Sequence, residues 1–73
     1  MSRPVKRSVT LNGHRTSVSL EDEFWRAFRA LAEERDVPIN VLAATIDATR
    51  DIDTGLATAI RLYILASLQE KLR

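Results

Sequence analysis

Arg15-Thr16-Ser17-Val18-Ser19-Leu20 runs without a break into Glu21-Asp22-Glu23-Phe24-Trp25, and these eleven residues specify a strand that passes directly into a helix. The first six alternate strictly. In a strand, successive side chains point to opposite faces, so Thr16, Val18 and Leu20 look one way and Arg15, Ser17 and Ser19 the other. One face can seal a core while the other carries a guanidinium and two hydroxyls. The acidic and aromatic residues that follow open a helix.

Upstream, Arg7-Ser8-Val9-Thr10-Leu11 and His14-Arg15-Thr16-Ser17-Val18 flank Asn12-Gly13. Two β-compatible runs around Asn-Gly predict a hairpin whose two turn residues take positive φ. A two-residue turn sets the register: Leu11 opposes His14, Thr10 opposes Arg15, Val9 opposes Thr16, Ser8 opposes Ser17 and Lys6 opposes Ser19. Lys6, Ser8 and Thr10 then share the polar face with Arg15, Ser17 and Ser19. Val9, Thr16, Val18 and Leu20 share the other. Both strands agree on sidedness, which specifies the pairing. Residues 1–5, with Pro4 lacking a backbone donor, read as a flexible arm ahead of a single domain over residues 6–73.

Downstream, a first helix is expected from about Glu21 to Arg35. Ser19 with Asp22 forms a possible capping box, and Glu21 is the other candidate cap. Acids at 21–23 suit the positive end of the helix dipole. Phe24, Phe28, Leu31 and Ala32 recur as one stripe, with Ala27 beside it. Trp25, off its centre, borders either a partner or the edge of the core. Asp36-Val37-Pro38 breaks the pattern, so a second helix starts near Pro38 and runs to about Thr49, with Ile39, Leu42, Ala43 and Ile46 inward. After Arg50-Asp51-Ile52-Asp53, Asp53 or Thr54 can cap a third helix from about Gly55 to Leu72. Its apolar residues cover most of its circumference, and such a helix must be buried nearly all round.

Seventy-three residues make at most one domain. A chain of this size buries only about 60% of its unfolded surface, so its core needs reinforcement. With no cysteine and His14 as the one histidine, disulfides are excluded and a metal site is not expected. Oligomerisation is left, and the third helix asks for a partner subunit. Charge is unevenly spread. Arg3, Lys6, Arg7 and Arg15 stand without an acid in residues 1–19, whereas the remainder carries seven Lys or Arg against ten Asp or Glu. A basic beginning on a mildly acidic body points to a polyanionic partner. No apolar run approaches the roughly 18 residues of a membrane span, and a cytoplasmic, nucleoid-associated protein is expected. No nucleophile, metal cluster or Gly-rich phosphate loop stands out, so neither enzymatic activity nor a cofactor or small-molecule ligand is expected.

The run from Arg15 to Trp25, followed by helix, turn and helix, resembles the ribbon-helix-helix family of bacterial DNA-binding proteins, to which Arc and the methionine repressor belong. More narrowly, Arg7–Leu11, Gly13–Ser17, Leu20-Glu21, Phe24-Trp25 and Leu56–Arg61 are similar to a branch of short bacterial proteins with a ribbon-helix-helix domain. The similarity spans roughly residues 6–70. It implies a mainly α fold with a short N-terminal β-ribbon, an added N-terminal strand, a third C-terminal helix and an intertwined homodimer. The dimer core would hold Val18, Leu20, Phe24, Ile60 and Ile64.

The resemblance further implies a regulator, and among regulators a repressor, that inserts a two-chain antiparallel ribbon into the major groove of double-stranded DNA. Arg15, Ser17 and Ser19 would contact bases, and Arg3, Lys6, Arg7 and Asn40 the backbone. In the family a helix N-terminus holds a phosphate. Here Pro38 and Ile39 replace the usual hydroxyl or basic residues, leaving Asn40. Thr54, Thr58 and Arg61 form a rival anchor. The added strand either widens the ribbon through Lys6, Ser8 and Thr10 or guards the sheet edge. The competing reading is a protein-interaction module or antitoxin-like dimer whose main partner is another protein. The helical, apolar character of the sequence up to Leu72 argues against a toxin-wrapping tail.

Overall fold

Two strands precede three helices in the computed structural model, which describes residues 2–73; Met1, the first residue of the expected arm, lies outside the described residues. Strand β1 is Val5–Leu11 and β2 is His14–Leu20. Asn12 and Gly13 take φ of 52° and 84°, the left-handed geometry that a two-residue hairpin turn demands. Every cross-strand pair expected from the turn is present, and Val5 adds one more by pairing with Leu20. Strand β1 thus begins at the last residue of the expected arm.

Alternation sends Val9, Val18 and Leu20 into the core. Thr16 shares their side but, nearer the turn, stays exposed. Helices α1 (Asp22–Glu34), α2 (Ile39–Thr49) and α3 (Leu56–Lys71) close over that side. Phe28, Leu31 and Ala32 enter from α1, Leu42, Ala43 and Ile46 from α2, and Ile60 and Ile64 from α3. Burying a side chain such as Phe28, Leu20 or Ile60 stabilises the fold by roughly 1.5–3 kcal/mol.

The helix ends follow local chemistry. Glu21 occupies the N-cap of α1 in extended conformation, but neither candidate cap makes a side-chain capping bond. At the other end, Asp36 N–H donates to Glu33 O and Val37 N–H to Ala32 O, with Asp36 left-handed at φ 56°. This is a Schellman termination with aspartate in the position glycine usually holds. Gly55, rather than Asp53 or Thr54, is the N-cap of α3.

The residues expected in a dimer core lie at or beside the core of the single chain. Val18, Leu20, Ile60 and Ile64 are buried within one copy, and Phe24 is half-buried.

Candidate nucleic-acid interface

On the side of the hairpin away from the helices, Lys6, Ser8, Thr10, Arg15, Ser17 and Ser19 are all exposed. The register brings them together as the pairs Lys6–Ser19, Ser8–Ser17 and Thr10–Arg15. No acid stands in this row. Arg15 leans across it, donating from Nε to Ser8 Oγ at 3.2 Å. Arg3 is exposed in the irregular segment just before β1.

The hairpin has two outer edges with different fates. In a two-residue hairpin the residues flanking the turn exchange both hydrogen bonds, and alternation then turns the N–H and C=O of Thr10, Arg15, Ser17 and Ser19 away from the partner strand. Two long-range bonds agree with that parity. Thr10 N–H donates to Asn40 Oδ1 at 3.0 Å, and Ser19 O accepts from Arg61 Nη2 at 3.3 Å. Helix α2 thus lies against the outer edge of β1. Among the described residues the sheet has two strands, and the outer edge of β2 pairs with no strand.

Asn40, expected at a phosphate, spends its carbonyl oxygen on β1. Arg7 departs further from expectation. It pairs with Val18 on the inward face, its guanidinium 5.7 Å from the Trp25 ring centroid. Arg7 Nη2 donates to Leu20 O at 3.4 Å and lies 3.7 Å from Asp22 Oδ1. Its Nε is buried without a hydrogen-bond partner. So enclosed, the guanidinium expected at a phosphate forms a strut between β2 and α1. Trp25, packed beside Phe28 with centroids 6.3 Å apart, is the core edge that Arg7 covers.

Arg61 makes a second strut at the open edge. Its Nε and Nη2 donate to Glu21 Oε1 at 3.0 and 2.7 Å, and it sits 5.5 Å from the Phe24 centroid. Those donated bonds hold the Glu21 carboxyl below the usual glutamate range. The Ser2 hydroxyl, donating to Glu23, lowers that carboxyl too. Arg61, a member of the rival phosphate anchor, thus directs its Nε and Nη2 to Glu21 and the Ser19 carbonyl. Thr58 is exposed on the first turn of α3, while Thr54 is half-buried and its carbonyl accepts from Arg50.

Leu65, Leu68 and Leu72 follow Arg61 at i+4, i+7 and i+11, on one side of α3. They are 51%, 48% and 86% exposed. Because Arg61 reaches Ser19 O, this apolar row continues from the open edge of β2. Sequence reasoning recognised α3 as too apolar but did not single these leucines out, nor Ser8 as the partner of Arg15. Among the described residues, no three His, Cys, Asp or Glu side chains converge as metal ligands would. No helix of the described chain is long and apolar enough to cross a membrane.

A family model described as a ribbon-helix-helix domain matches residues 4–68. No curated protein and no solved structure matches the chain.

Proposed function

The chain belongs to the ribbon-helix-helix domain family, and we propose that it is a homodimeric, sequence-specific DNA-binding repressor whose copies join along β2. Members of the family are generally DNA-binding transcription regulators or antitoxins. One observation carries the reading: the unpaired edge of β2 lies between the acid-free polar row and the exposed leucine row of α3. Antiparallel pairing of two β2 edges satisfies the backbone groups of Arg15 and Ser17. The same approach brings Leu65, Leu68 and Leu72 of both copies out of water. Asn40 and α2 guard the β1 edge, so the sheet has one place to grow.

The dimer then carries four strands, with β2 of each copy at the centre. The major groove is about 12 Å wide and admits two strands. Neighbouring strands lie roughly 4.8 Å apart, so the two central strands enter and the two β1 strands face the flanking phosphates. Arg15, Ser17 and Ser19 meet base edges, and Lys6 and Arg3 meet the backbone. Arg15 can hold guanine O6 and N7 together, and the serine hydroxyls can serve donor or acceptor edges. Occupancy of such a site blocks transcription.

Selection of bound DNA from a random pool, with the mass of the protein measured in parallel, tests the reading. A symmetric enriched motif and twice the 8.2 kDa chain mass are expected, with affinity falling steeply as salt rises. The paired change Leu65→Asp and Leu68→Asp should yield single copies that no longer bind the motif. A folded single copy at micromolar concentration, or a pool with no enriched motif, would sink the proposal.

A further inference from the structure

We propose that Ser8, on the added strand, is the positioning residue that aims Arg15 at its base pair. The inference rests on the reading of Arg15 as a base contact and specifies how that contact is made. Arg15 stands directly opposite Thr10, yet its Nε–H passes that hydroxyl and donates to Ser8 Oγ, one pair further along, at 3.2 Å. Diagonal neighbours on one sheet face lie within reach of a long side chain.

Guanidinium offers five N–H donors in a rigid fork. With Nε–H committed to Ser8, the side-on pairing through Nε and one terminal nitrogen is closed. The end-on pairing through the two terminal nitrogens stays open, and that pair can address the O6 and N7 acceptors of guanine. Holding the side chain in advance also reduces the conformational entropy lost on binding. The choice of partner matters. A carboxylate would neutralise the cation, as Asp22 and Glu21 oppose Arg7 and Arg61, whereas a hydroxyl orients it and leaves its charge intact. β1 thus contributes to specificity from outside the groove, through a side chain that touches no base.

The test compares Ser8→Ala, Ser8→Thr, Arg15→Ala and the Ser8→Ala/Arg15→Ala double variant on the selected motif. Each is measured also on a motif with the guanine replaced. Ser8→Ala should reduce the preference for guanine by about 3- to 10-fold, the worth of one hydrogen bond, with salt slope and unfolding midpoint unchanged. Ser8→Thr should restore most of that preference. Arg15→Ala should erase it, and adding Ser8→Ala should then change nothing further. Equal weakening of both motifs by Ser8→Ala, or the same loss from Ser8→Ala with Arg15 already removed, overturns the positioning role while base reading stands. If Arg15→Ala leaves the preference intact, base reading fails and the positioning role falls with it.

Discussion

Arg7 and Arg15 sit in one hairpin, carry the same charge and meet opposite fates. Arg7 faces inward, lies over Trp25 and beside Asp22, and is 18% exposed at its side chain. Arg15 faces outward, donates to the Ser8 hydroxyl and, among the described residues, shares its side of the sheet with no acid. The strand period is two, so residues 7 and 15, joined through a two-residue turn, fall on opposite faces. The basic charge of a segment is therefore not the charge it can offer a partner. Of the four cations in residues 1–19, one is spent on holding the strand to its helix.

Removing each arginine in turn separates the two roles. Arg15→Ala should reduce discrimination between the selected motif and one lacking its guanine by roughly 10- to 100-fold, the loss of one bidentate base contact. Competitive binding measures the ratio, and the urea midpoint should not move. Arg7→Ala should do the reverse, lowering unfolding free energy by about 1–2 kcal/mol through loss of the stacking and the bond to Leu20 O. Discrimination should survive in dimers that remain folded. Arg7→Lys should recover little, because an ammonium cannot stack its plane on the indole while donating to the carbonyl. Should the two variants prove interchangeable in both assays, the division between strut and reader is lost.

The smallest effect comes from the second strut. Arg61 lowers the Glu21 carboxyl below its ordinary range, which the unfolded chain retains. The stability from this pair is therefore fully present above the ordinary glutamate value and is lost as pH falls through the lowered native one. Melting temperature should decline over that acidic window, and Glu21→Gln should flatten part of the decline. Glu23, lowered in the same direction by Ser2, supplies another part. An unchanged acid profile in Glu21→Gln would separate Glu21 from the Arg61 strut energetically.

Much of the hairpin was legible before any coordinates. Asn12-Gly13 and two runs of alternating residues imply the register, and every expected pair is present. The inward place of Arg7 was legible by the same parity, two residues before Val9, but the count of basic residues hid it. The end of α1 was harder to read. Asp36 takes the left-handed position without the glycine that would announce it. The pairing of Arg61 with Glu21 had no sequence signal. Arg61 lies forty positions from Glu21, and neither residue's neighbours encode the meeting.

Strand parity, the turn and the apolar excess of α3 were written in the sequence, because each depends on side chains close together along the chain. Only the tertiary structure decided which edge of the sheet α2 covers and which leucines of α3 remain bare. Those outcomes depend on how helices far apart in sequence pack against the same small hairpin, and helical periodicity alone does not say which apolar face reaches the core first.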